Sequence, residues 1–183
     1  MSESREKILG RLTAGTAEKT KVIVESTFVS EDLWAGFEGQ LNALGGRIIS
    51  LEELTEQLAK VCFLENMAEA RLLSRSIPIS STSDTDIWDV QVGISVADLA
   101  IAETGSLVVS AGPNRSRMAS LVPPVNVMLL AKDSIVAKLS DAIPLISSRS
   151  SAIITGPSRT ADIEGILVRG VHGPGELLVY VHD

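Results

Sequence analysis

The sequence is poor in the residues that staple chains and hold metals. It has one cysteine, Cys62, and two histidines, His172 and His182. A lone thiol makes no intrachain disulfide and cannot by itself hold an iron–sulfur cluster or a zinc ion, which need several thiolate or imidazole ligands. Cys62 lies in the apolar run Val61-Cys62-Phe63-Leu64, where it reads as a buried strand residue. Aromatics make up only 3%, so the core must come from Leu, Ile, Val and Ala, a composition that suits a buried sheet covered by helices. Basic residues are outnumbered, 16 Lys and Arg against 23 Asp and Glu, for a net charge of -7. They are also scattered, whereas a nucleic-acid face needs them clustered against phosphates. No run approaches the ~18 apolar residues of a membrane helix, and the start, Met1 to Glu6, lacks an apolar signal core. The expectation is a cytoplasmic protein with no membrane span.

What is present describes one globular unit. A hydrophobic fraction of 45% over 183 residues supports one domain with a proper core. Residues 3–12 read as a short helix ended at Gly15, so 1–20 form an N-terminal arm and 21–183 a single α/β domain. Residues 21–30 read as a connector or weak strand. Ser30-Glu31-Asp32 opens a helix, with Ser30 as N-cap and acids in the first turn, and Leu33, Trp34, Phe37, Leu41 and Leu44 at helical spacing. Gly45-Gly46 ends it. A strand at Arg47 to Ser50, a helix at Leu51 to Lys60, a strand at Val61 to Leu64 and a helix near Asn66 to Ser74 continue a β-α-β-α rhythm. Ser80 to Asp86 is a loop. Beyond it short strands crowd together, at Ala100–Glu103, Leu107–Ser110, Val125–Ala131, Ala152–Thr155 and Leu177–His182, with a helix at Ser134–Ala142 capped by Ser134. The fold class is α/β, three-layered, with a mostly parallel sheet flanked by helices.

Four segments carry polar residues that packing does not explain. In Ala102-Glu103-Thr104-Gly105-Ser106, Glu103 beside a glycine turn is a candidate nucleophile, base or hydroxyl ligand; the plain alternative is an ion pair or cap. Asn114-Arg115-Ser116-Arg117, running into Ser120, offers two guanidinium forks to a carboxylate or phosphate, or is a solvated loop. In Thr155-Gly156-Pro157-Ser158-Arg159-Thr160-Ala161-Asp162, Ser158 or Thr160 would cap a helix beginning near Ala161. Its backbone donors plus Arg159 would make an anion site, the alternative being an ordinary capped turn. No P-loop pattern is present, so ATP hydrolysis is not implied. In Val171-His172-Gly173-Pro174-Gly175, His172 is a candidate proton carrier near neutrality. The site expected from chemistry alone has Glu103 and His172 as catalytic groups. Arg115, Arg117, Ser120, Thr155, Gly156, Ser158, Arg159, Thr160 and Asp162 would bind an anion, and there is no metal.

Taken in order, Ala-Glu-Thr-Gly at 102–105, Ser-Leu-Val-Pro at 120–123, Thr-Gly-Pro-Ser-Arg-Thr-Ala-Asp-Ile-Glu at 155–164 and Val-His-Gly-Pro at 171–174 resemble the lactate-utilisation (LUD-domain) family, specifically its protein C branch. The match spans roughly 30–183 and is dense from about 93 onward. The resemblance implies a fold like that of the NagB/RpiA/CoA-transferase group. It also implies a role in oxidising L-lactate to pyruvate beside partner subunits that carry iron–sulfur clusters, with no cofactor held by this chain. One departure stands out: the family often has histidine where Pro123-Pro124-Val125-Asn126 places Asn126, and an amide cannot transfer protons near neutral pH. Three functions follow as expectations. The first is a non-redox subunit of a lactate oxidation system. The second is a free-standing enzyme on a CoA ester or sugar phosphate using Glu103. The third is a ligand-sensing or scaffold module. The partners expected are iron–sulfur subunits and a small carboxylate or phosphate, and a homo-oligomer is compatible with the sequence.

Overall fold

The computed structural model describes residues 32–60, 62–64, 87–112, 116–146, 150–161 and 167–183. The expected arm at 1–20, the segment at 21–30, the helix near 66–74 and the loop at 80–86 lie outside these residues.

Helix α1 spans Leu33–Leu44. Its N-cap is Asp32, whose carboxylate accepts from Trp34 N and Ala35 N at 3.0 and 3.2 Å. This corrects the assignment of Ser30: the acid closest to the first turn is the cap itself and satisfies two otherwise unpaired amides. Gly45 ends α1 at φ 90, the left-handed position that a C-cap glycine takes without penalty. Strand β1 is Arg47–Ile48, and α2 spans Leu51–Leu58 behind a capping box in which Ser50 Oγ accepts from Glu53 N while Glu53 accepts from Ser50 N. The Ser50 backbone donor first, and the Arg47 guanidinium second, hold the Glu53 carboxyl below the ordinary glutamate range. Leu54 and Leu58 are buried, but Leu51, expected on the same face, is exposed.

Five strands form a wholly parallel sheet in the order β1-β11-β6-β3-β2, where β2 is Cys62–Leu64, β3 Val92–Val96, β6 Val125–Ala131 and β11 Glu176–His182. The sheet is buried on both faces, as parallel sheets must be. On β6, Val127 and Leu129 face the α2 side with Leu54, Leu58, Ile94 and Leu178. Met128 and Leu130 face the other side with Phe37 and Leu41 of α1. Each such buried aliphatic side chain contributes roughly 1.5–3 kcal/mol.

The second face is covered by more than helix. A four-stranded sheet, in the order β7-β4-β5-β8, lies there with β4 at Leu99–Ile101, β5 at Ser106–Ser110, β7 at Ile135–Val136 and β8 at Ser151–Ile154. The pairs β4–β5 and β5–β8 are antiparallel, and Ala100, Leu107 and Val109 from this sheet, with Ala102 in the turn after β4, share a core with α1 and β6. The α/β class and the mostly parallel main sheet are as expected, but one of the flanking layers is largely a sheet. Gly105, at φ 61, turns the β4–β5 hairpin against α1, where a Cβ would fall 2.5 Å from Leu41 N.

Two expected helices are not formed as drawn. Ser134 caps nothing: its hydroxyl donates to Ala131 O, and β-branched Ile135-Val136 extend as an edge strand beside Ala100-Ile101. Only Leu139–Ala142 is helical, as α3. Nor is the described run ending at Ala161 helical. Arg159–Ala161 is strand β9, paired antiparallel with β10, Leu167–Arg169. Among the described residues, then, 159–161 are strand and offer no helix N-terminus to an anion; residues 162–166 lie outside them.

Candidate functional site

A pocket of about 170 Å³ opens where the inter-sheet core meets the amino-terminal ends of β6 and β11. Asn126 and Leu177, paired in register near the starts of these two strands, contribute to it together with Ala152 and Ile154 of β8. Open α/β sheets commonly bind ligands at the carboxyl ends of their strands; this pocket is at the opposite edge.

Three loops complete the walls, and close backbone packing holds them. The 3-10 turn Arg117–Ser120 lies directly on β3, where a Cβ on Gly93 would sit 1.8 Å from Ala119 O. Only glycine permits that approach. The loop 156–158 is tied to the loop 172–174 by Ser158 N donating to Pro174 O at 2.8 Å, and Gly170 N donates to Ser158 O at 3.1 Å. A Cβ on Gly173 would stand 3.2 Å from Ser158 Cβ. Gly175 N donates to Pro124 O at 2.9 Å, fixing the entry to β11 beside the entry to β6.

The lining has a definite charge character. Among its described residues Arg117 is the one permanent cation, His172 the one further titratable side chain, and no carboxylate is present. Arg117 is partly buried and donates through Nη2 to Ser150 Oγ at 3.0 Å, while its main-chain carbonyl accepts from Ser120 Oγ at 3.0 Å. A guanidinium has five N–H donors, so others remain for an anion. His172 is exposed, at the mouth.

Of the residues singled out in the sequence, the structure brings Arg117, Ser120, Gly156, Ser158 and His172 together around this pocket. Arg115 and Asp162 lie outside the described residues. Thr155 is turned away into a hydroxyl chain, Thr104 Oγ1 to Ser106 Oγ to Thr155 Oγ1, with 2.8 Å at each step. Glu103, half-buried at the β4–β5 turn, and Thr160, in β9, are not among the lining residues. Arg159 donates to Leu44 O. With Arg169 it sits against Gly45, placing two cations at the negative end of the α1 dipole.

Sequence reasoning left Asn126 out of the site, although it noted its place in the family pattern. Asn126 is 1% exposed. Its Nδ2 lies 3.1 Å from Gly93 O, 3.2 Å from Ala119 O and 3.2 Å from Ser95 Oγ, while its Oδ1 is buried without a partner. The proline pair before β6 and the His-Gly-Pro-Gly run before β11 were the available signal: two adjacent parallel strands start side by side, so their leading loops must meet.

Fold and pocket together define an α/β protein with a pocket, lined by one guanidinium and no described carboxylate, wedged between a parallel and a mixed sheet. A model of the LUD domain matches residues 13–181, and the chain belongs to the LUD domain family, as its motifs led one to expect. Lactate utilization protein C of Geobacillus sp. is 33% identical over 57% of this chain and 52% of that protein. The protein of the same name from Exiguobacterium sp. is 35% identical over 56% of this chain and 55% of its own length. The chain therefore spans about half the length of these curated relatives. An uncharacterized protein of Neisseria meningitidis serogroup B is 29% identical over 92% of this chain and 76% of its own. A DUF162 family protein from Deinococcus radiodurans superposes with a TM-score of 0.44 at 16% identity, covering 81% of this chain and 95% of that one. Among the described residues no helix is long and apolar enough to cross a membrane.

Proposed function

We propose that this chain is a non-redox component of an L-lactate oxidation system, working beside partner subunits that carry iron–sulfur clusters. The observation that carries the reading is the pocket, which offers Arg117 and no described carboxylate to a small anion, on a chain similar to lactate utilization protein C. Coulomb attraction in a partly desolvated pocket favours a carboxylate or phosphate there and disfavours a cation. Oxidation of lactate to pyruvate releases two electrons and two protons. The electrons would pass to the partners' clusters, one proton would go to His172, the described lining group at the mouth able to take one, and the other to solvent. A volume of about 170 Å³ suits a ligand of a few heavy atoms, since sites for larger ligands run to roughly 300–1,000 Å³. It therefore gives no support to a CoA ester.

The test is growth and capture. A host lacking this gene should fail on L-lactate as carbon source and recover with the wild-type copy. The tagged chain, purified without oxygen, should bring brown partners that reduce a dye when lactate is added. Normal growth of the deletion strain, or a colourless solitary protein from lactate-grown cells, would refute the reading.

A further inference from the structure

We propose that β8 is a self-pairing edge, to which a second copy of this chain adds its own β8 antiparallel about a two-fold axis. Ile153 then faces Ile153 and the two mixed sheets become one. The inference stands apart from the lactate-oxidation reading and rests on the register, sequence and exposure of the strand.

Among the described strands β8 is paired on one side only, by β5. In an antiparallel pair, alternate residues direct N–H and C=O at the neighbour and the others direct theirs away. Two bonds fix which are which. Ala111 N donates to Ser150 O at 2.8 Å, one step beyond the pair of Ser110 and Ser151. Asp98 N donates to Val108 O at 2.8 Å, so Val108 spends its carbonyl on the β4 side. Counting in twos, Ala152 and Ile154 bond to β5. Ile153, opposite Val108, turns its amide and carbonyl outward to the edge.

Its side chain is left open as well. Val108 is buried with Leu99, Ile101 and Ala142 on the outer face of the sheet, but Ile153, its neighbour on that face, is 46% exposed. Ile143 and Leu145, in the 3-10 turn directly after Ala142, are exposed too. Protein edges ordinarily carry a charge, a proline or a bulge that blocks pairing. Residues 150–155, Ser-Ser-Ala-Ile-Ile-Thr, have neither charge nor proline, and the ladder with β5 runs unbroken over its whole length. With four residues β8 is also the longest sheet edge among the described strands; β1 and β7 have two, β2, β9 and β10 three.

The occupant follows from this self-complementarity. A dyad at Ile153 sets uncharged residues against uncharged residues, uses one patch twice and closes at two copies. The opposed Ile153 residues exchange both backbone bonds, and their side chains cover each other on the outer face. Ala152 and Ile154 line the pocket, so the axis runs beside the pocket wall and one pocket stands on either side of it.

The experiment is sedimentation of the pure 183-residue chain from low micromolar to near-millimolar concentration. Wild type should pass from the mass of one chain to that of two. Ile153→Lys, which opposes two cations across the axis, should keep the one-chain mass throughout. Ile153→Pro removes the outward N–H, and proline is tolerated where that group faces solvent. Melted at the dilute end, this variant should match wild type to within a few degrees, yet it should not pair when concentrated. Ile153→Cys should give a disulfide-linked pair on mild oxidation, because opposed residues stand ~5.5 Å apart at Cα, within disulfide reach. Wild type, which keeps Cys62, is the background for that reaction. A wild-type chain that stays single at every concentration would overturn the proposal, including the case in which a different protein occupies β8. So would a pair that Ile153→Lys leaves intact, or cross-linking of Ile153→Cys no greater than the background. A melt of Ile153→Pro far below wild type would place the Ile153 N–H in the β5 ladder and overturn it equally.

Discussion

Replacing Gly93 with alanine tests whether the close seating of the Arg117–Ser120 turn on β3 builds the pocket. The added Cβ would lie 1.8 Å from Ala119 O, 2.8 Å from Ala119 C and 3.0 Å from Pro123 Cγ. Two of these three atoms are backbone, so no side-chain rotation relieves the clash, and the turn must lift by more than an ångström. That movement breaks the bond from Asn126 Nδ2 to Ala119 O, costing ~1–3 kcal/mol for a buried group left unpaired. Overpacking strain adds ~1–3 kcal/mol, and the stiffer unfolded chain returns ~0.4–1 kcal/mol. The net loss is about 2–5 kcal/mol, which at ~2–4 °C per kcal/mol for a chain of this size lowers Tm by roughly 4–20 °C. The matched control is Gly39→Ala on α1, where a new Cβ meets nothing within 4 Å. It should be neutral or stabilising by up to ~1 kcal/mol. Thermal melts followed by circular dichroism, with urea titration as a second measure, would read both. A Gly93→Ala protein melting within a degree or two of wild type would refute the account of how this turn is held.

Two further outcomes are expected. Glu53 has its folded pKa held below the ordinary glutamate value of 4.5. Its contribution to stability is therefore complete above that value and lost as pH falls through the lower one. Urea midpoints of wild type and Glu53→Gln should differ near neutrality and converge in acid, and a gap that stays constant down to acid pH would contradict this. Arg159→Ala should loosen the carboxyl end of α1 and cost about 1 kcal/mol or less for an exposed group at a helix terminus. Amide exchange at Gly45 and Gly46 should rise while exchange in the middle of β6 stays as it was; unchanged exchange at both glycines would contradict the role given to Arg159.

Local physics was readable in the sequence, and long-range pairing was not. The span of β6 from Val125 to Ala131 and the end of α1 at Gly45 follow from rules that act over four or five residues, whereas Ser50, drawn as the end of a strand, proves to be the cap of α2. The same rules misplaced the helix at 134–142, because a capping serine looks alike whether or not strand β4 stands ready to pair with Ile135-Val136. They also drew a helix beginning near Ala161, where residues 159–161 instead pair with 167–169. Of the candidate site residues, those on the loops before β6, after β8 and before β11 converge, since the sheet order brings those edges together. Glu103 and Arg159 separate from them for the same reason. The amide of Asn126 could not be read at all, because its orientation is set by Gly93 O, a partner 33 residues away in sequence.

The three loops of the pocket belong to strands that meet only when both sheets have assembled, so no partly folded chain can present it. A ligand there binds the native state alone, and mass action then adds stability as the logarithm of its concentration, about 2.7 kcal/mol at a hundred times Kd. In a cell that clears unfolded chains by proteolysis, the amount of this protein would rise and fall with the supply of its own ligand, with no change in transcription.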